Sequence, residues 1–185
     1  MATVVFFHAH PDDEALATGG TMALMAEAGH RVILVVATRG EEGEPVEGVL
    51  ETGEKLEDRR SPEGEQSAEI LGAARIEFLG YRDSGMVESD TTSHPNCFWQ
   101  ASKEEAVNRL SKLLSSEEVD LIVVYDPNGG YGHPDHIQVH QVGTQWAQEN
   151  NVRLRWVTLN RDAIRKVVEQ AINEGILSIN IESED

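Results

Sequence analysis

Apolar residues fall along this chain in short blocks separated by polar, glycine-rich stretches. Residues 3–7 (TVVFF), 31–37 (RVILVVA), 75–79 (RIEFL), 119–125 (VDLIVVY) and 153–159 (RLRWVTL) are rich in β-branched and aromatic side chains. Their length suits strands, and several are too continuously apolar to keep one face in water. Between them lie segments of helical character. Residues 19–28 stop at Gly29, and residues 58–71 stop at Gly72, although Pro62 and Gly64 weaken the start of that helix. Residues 101–115 carry Ala106, Leu110, Leu113 and Leu114 at helical spacing. Pro134 opens a further helix that runs to residue 149, and residues 162–173 make a last one, ended by Gly175. Residues 38–57 and 80–98 are long polar loops, and loops of that length usually carry function or move. Strands alternating with helices predict a single α/β domain over residues 1–185, a Rossmann-like three-layer sandwich with a mostly parallel central sheet and helices on both faces.

Composition narrows this picture. The chain of 185 residues is 39% hydrophobic and 26% charged, enough for a real core. No apolar run approaches bilayer length and no signal pattern opens the chain, so a cytoplasmic protein without membrane insertion is expected. Cys97 is the single cysteine and is expected to be a small buried hydrophobe in a reducing compartment. A net charge of −18, concentrated in residues 41–69 and 182–185, argues against nucleic acid as a partner. A homo-oligomer is compatible with this composition.

Two turns carry the chemistry. Residues 8–20 read HAHPDDEALATGG, placing two imidazoles and three carboxylates within seven residues between a strand and a helix. Residues 126–136 read DPNGGYGHPDH and repeat the layout of strand, turn, His-Pro-Asp and helix. The two turns meet if their strands are neighbours in one parallel sheet. His10, Asp13 and His136 then form a His/Asp/His set with an open position, as in catalytic zinc sites, and Fe²⁺ would fit the same donors. His140, one turn beyond His136, is the rival ligand, whereas His8 suits the core. Asp12 is placed to take a proton from water. His133, held through a ring nitrogen by Asp135 and protonated, would face the oxyanion, with the Tyr131 hydroxyl assisting. A nucleotide-binding reading fails because no G-x-G-x-x-G follows the first strand and acidic residues fill the turn. A catalytically silent binding domain is disfavoured because every candidate ligand is present.

Residues 9–14 (AHPDDE) and 132–136 (GHPDH) resemble the two signatures of the LmbE-like, or PIG-L, zinc-dependent N-deacetylases. The resemblance implies a Rossmann-like fold and removal of acyl groups from small N-acylglucosamine-type substrates. It implies His10, Asp13 and His136 as zinc ligands, Asp12 as general base, and His133, Asp135 and Tyr131 as its catalytic partners. Residues 60–72 resemble the family's R-x-x-E helix, which implies Arg60 as a substrate contact. Residues 83–86 (DSGM) resemble a segment of the mycothiol-related branch, which brings in Asp83. Members of that branch generally continue well past the equivalent of Asn173, so the C-terminal portion here is short for the family. The family's mycothiol S-conjugate amidases often carry a lysine shortly after the first motif. Residues 15–20 have none, which favours a deacetylase.

Overall fold

In the computed structural model, residues 1–177 are described; the acidic stretch expected at residues 182–185 lies outside the described residues. The five apolar runs become β1 (Thr3–His8), β2 (Arg31–Val36), β3 (Arg75–Phe78), β4 (Leu121–Tyr125) and β5 (Arg153–Val157). They form one sheet in the order β3-β2-β1-β4-β5, and every pairing is parallel. The helices are α1 (Gly19–Glu27), α2 (Leu56–Ile70), α3 (Lys103–Leu114), α4 (Pro134–Glu149) and α5 (Arg161–Asn173).

Alternation along β1 divides the core into two layers. Val4 and Phe6 pack with Met22 of α1 and Ala68 of α2, while Val5 and Phe7 pack with Leu110 of α3 and Val139 and Val142 of α4. Burying each such Val, Leu, Phe or Met side chain stabilises the fold by about 1.5–3 kcal/mol. α4 approaches the sheet through Gly143, where a Cβ would stand 2.4 Å from Val124 Cγ1. The expected three-layer α/β arrangement is therefore present, with helices on both faces.

Three local features go beyond the sequence reading. α2 begins at Leu56 and continues through Pro62, because its buried Gly64 and Ala68 seat it on β3 near Ile76 and Phe78. The stretch after the first motif is a π-helical turn, Glu14–Thr18, before regular helix begins; such turns are frequent at functional sites. Finally, α5 has no buried residue, and Ile164, Val167 and Ile172 on it are exposed. Cys97 is free and buried, as expected. Among the described residues, no helix is long and apolar enough to cross a membrane.

Candidate metal centre

Strand order reverses between β1 and β4, and open parallel sheets bind ligands in the crevice beyond the strand ends at such a point. Both His-Pro-Asp turns enter that crevice. After β4, the Asp126 carboxylate accepts from the backbone N–H groups of Asn128 and Gly130 and sets the turn. Gly129 there has φ +61°, and a Cβ on it would lie 2.8 Å from His136 Cβ, so only glycine lets α4 present His136 to the crevice. After β1, the His10 N–H donates to Asp13 Oδ2 at 2.9 Å and closes the first turn.

The turns bring His10, Asp13 and His136 together. Asp13 Oδ2 lies 3.3 Å from His10 Nδ1, and Asp13 Oδ1 lies 3.4 Å from His136 Nε2. One donor atom from each residue falls within 4.8 Å of the others, a spacing that can hold a metal ion. His136 Nε2 is buried and makes no hydrogen bond, an orphaned donor–acceptor atom that a cation would satisfy. Tyr125 fixes that ring by stacking on it at 4.1 Å and 10°. Burial pushes the Asp13 carboxyl up, yet the His10 and His136 imidazoles beside it hold it well below the usual range. Burial lowers His10, but Asp13, Asp135 and Asp83 together raise it well above its ordinary value. The donor set is thus built to hold positive charge at its centre, and imidazole with carboxylate suits a borderline divalent cation. His140 is elsewhere: its Nδ1 lies 2.9 Å from the Tyr125 carbonyl oxygen.

Around this set lies a cavity of about 400 Å³, lined by Asp12, Arg60, Asp83, Tyr131 and His133 among others. The Asp12 side chain is 47% exposed, and Arg60 Nη2 donates to its Oδ2 at 2.8 Å. Burial of its near edge raises the Asp12 pKa, partly offset by Arg60. Its φ of 125° is rare for a side-chain-bearing residue, and such strain costs roughly 1–3 kcal/mol and gathers at functional sites. Asp83 is buried, with Oδ1 accepting from the Gly85 N–H and Oδ2 from the Glu42 N–H. Tyr131 is exposed at the rim, its ring 5.0 Å from that of His136.

The second turn corrects two expectations. Asp135 holds His133 through its backbone N–H, which donates to Nδ1 at 3.2 Å, because His133 is the N-cap of α4. Its fully buried carboxylate instead accepts from the Ser84 N–H and hydroxyl and lies 3.3 Å from His10 Nε2. Burial and the neighbouring His10 lower the His133 pKa to about 4, which favours the neutral ring over the protonated one expected from sequence. With Nδ1 accepting, the neutral ring carries its proton on Nε2.

Four residues support the site: Tyr125, Glu14 and Ser84 were given no role from sequence, whereas His8 lies in the core as expected. Tyr125 closes β4, and its hydroxyl accepts from the Ala9 N–H and lies 2.9 Å from His8 Nδ1. His8 Nε2 reaches Thr18 Oγ1 at 2.8 Å, so burial keeps this ring neutral, with its pKa lowered to about 4. Glu14 accepts from the Asp12 N–H and the Ser67 hydroxyl, holding the strained residue in place. Ser84 adjoins Asp83 in the segment noted from sequence, and its neighbour was the available signal.

A parallel α/β sheet with a His/Asp/His set at its switch point defines the class, and the comparisons agree. The PIG-L family, described as GlcNAc-PI de-N-acetylase, matches residues 5–147. The chain belongs to that family. It is similar to the 1D-myo-inositol 2-acetamido-2-deoxy-alpha-D-glucopyranoside deacetylase of Thermobifida fusca, with 45% identity over 75% of this chain and 52% of the relative. The Acidothermus cellulolyticus protein of the same name is 36% identical over 99% of this chain and 62% of its own length. Among solved structures, the N,N'-diacetylchitobiose deacetylase from Pyrococcus horikoshii matches with a TM-score of 0.63 and 30% identity, over 79% of this chain and 49% of that one. The chain thus spans about half the length of the Thermobifida relative.

Proposed function

We propose that this chain is a Zn²⁺-dependent amidohydrolase that removes the acetyl group from a small N-acetylglucosamine-type glycoside, with Fe²⁺ able to occupy the same donors. The observation that carries the reading is the convergence of His10, Asp13 and His136 around the unpartnered His136 Nε2. The names of the relatives supply the substrate class.

A cation held by those three residues supplies Lewis acidity to water and to the amide carbonyl. Asp12 stands at the cavity wall as general base. It takes the proton of the attacking water and returns it to the departing amine nitrogen, so that the carbon–nitrogen bond breaks and acetate and a free amine leave. Its raised pKa suits a group that must hold that proton briefly. The neutral His133 donates Nε2–H to the oxyanion as charge develops, and Asp135 fixes its tautomer through the backbone. Tyr131 closes the rim, and Arg60 and Asp83 on the cavity wall hold sugar hydroxyls.

The test is acetate release from N-acetylated substrates (inositol glycoside, malate glycoside, free sugar and a thiol conjugate) by zinc-loaded and chelated protein, with His136→Ala alongside. Zinc-loaded protein is expected to release acetate from the inositol glycoside fastest, and His136→Ala to lose zinc. Turnover that survives chelation, full zinc occupancy in His136→Ala, or no acetate from any substrate would overturn the reading.

A further inference from the structure

The peptide groups of Asp12 are held from both sides. Its carbonyl oxygen accepts from the N–H groups of Ala15 and Leu16 at 3.0 and 3.1 Å, and its own N–H donates to Glu14 Oε2 at 3.0 Å. The first pair of contacts belongs to the π-helical turn itself. The second depends on where the Glu14 side chain is held, and that is decided 53 residues away, where the Ser67 hydroxyl donates to Glu14 Oε1 at 2.6 Å. Burying a carboxyl is costly unless its oxygens are satisfied, and Glu14, 1% exposed, meets that condition with these two donors.

Ser67 lies on α2, which also supplies Arg60, the donor to Asp12 Oδ2. The two residues are two turns apart on that helix, hence on one face of it. One face of α2 therefore meets the side chain of Asp12 directly and its backbone through Glu14. The backbone needs such support. A φ of 125° at a residue with a Cβ persists only where surrounding contacts over-determine it.

We propose that Ser67 is a positioning residue for the hydrolysis: through Glu14 it holds Asp12 in its strained conformation and keeps that carboxylate aimed into the cavity. The proposal rests on the reading of Asp12 as general base. Without the hydroxyl, Glu14 is free to leave the Asp12 N–H, and the strain relaxes by turning the peptide that carries the base. Ser67 itself lies outside the cavity and outside the donor set. Its loss therefore slows the proton-transfer step and leaves zinc and substrate affinity as they are.

Two measurements on the full chain test this: acetate release from the N-acetylated inositol glycoside by zinc-loaded protein, and amide exchange at Asp12 followed by NMR without zinc. Ser67→Ala is expected to lower kcat about tenfold, with KM, bound zinc and the circular dichroism spectrum unchanged. It is also expected to speed exchange of the Asp12 amide by about the same factor. Ser67→Thr, which keeps the hydroxyl, is expected to recover both. Added to Asp12→Asn, Ser67→Ala is expected to change turnover by less than about twofold, because the group it positions is already gone, whereas a general loosening of the fold slows both backgrounds alike. A wild-type kcat in Ser67→Ala, an unchanged exchange rate at Asp12, a fall in bound zinc, or an equal loss in the Asp12→Asn background overturns the proposal. Asp12→Asn at the wild-type rate instead overturns the reading of Asp12 as the base.

Discussion

The two His-Pro-Asp turns share a tripeptide and a position, yet they send its side chains to opposite jobs. In the first, His10 reaches the candidate cation centre and Asp12 is left at the cavity wall, half exposed and tied to Arg60. In the second, Asp135 is fully buried behind His10, and it is His133 that faces the cavity. The difference lies in the backbone beyond each proline. Pro134 is the first residue of a regular helix, so Asp135 and His136 take helical positions. After Pro11 the chain takes φ 125° at Asp12 and then a π-helical turn, which swings Asp12 outward while Asp13 points in. A motif of three residues therefore does not fix three roles; the conformation of the next few residues assigns them.

Breaking the turns separately should expose that asymmetry. The largest effect is expected from Asp12→Asn, which keeps the shape and tolerates the positive φ. Turnover should fall by about 10²–10⁴ with zinc content unchanged, as measured by acetate release and metal analysis on the same preparation. Turnover at the wild-type rate would remove Asp12 as the base.

The next effect concerns His8, which joins the two turns from below through Tyr125 at the end of β4. Its folded pKa of about 4 lies below its unfolded value of 6.5. Above pH 6.5 the ring is neutral in both states and the stability is fully present. As pH falls toward 4 the unfolded chain binds the proton first, and stability declines by about 3 kcal/mol. Urea unfolding at pH 7 and pH 4.5 should show that loss in wild type and a smaller one in His8→Asn, whose side chain does not titrate. Equal slopes would show that His8 does not couple the turns to pH.

The smallest effect is expected from the counterpart of the first test. Asp135→Asn should lower zinc affinity by roughly 10–100-fold, the usual effect of altering the group behind a metal-ligating histidine, read by competition with a chelator. Turnover of the zinc-saturated variant should fall less than in Asp12→Asn. If instead the two variants match in both readouts, the turns are equivalent and the contrast drawn between them fails.

Much of this was legible in the residues themselves. Five apolar runs of strand length, separated by helical segments, specify a parallel sheet because only a crossover connection joins parallel neighbours. The paired turns at 8–20 and 126–136 marked the donor set, since imidazoles and carboxylates rarely gather in that density for packing alone. Their meeting depended on the β1–β4 pairing, which the structure provides. Sequence spacing could not tell that the Asp135 carboxylate bonds Ser84, 51 residues away, rather than His133 two residues before it. Nor could it reach the Tyr125–His8–Thr18 chain beneath the site.

What the sequence alone determined is the inventory: which elements form, and which side chains can bind a cation or move a proton. Local propensity and residue chemistry act over a few positions and are written into them. What the tertiary structure decided is environment: which carboxylate is dry, which is wet, and in which direction the pKa of an imidazole is shifted. Those properties depend on burial and on partners brought from distant strands, and no short stretch of chain contains either.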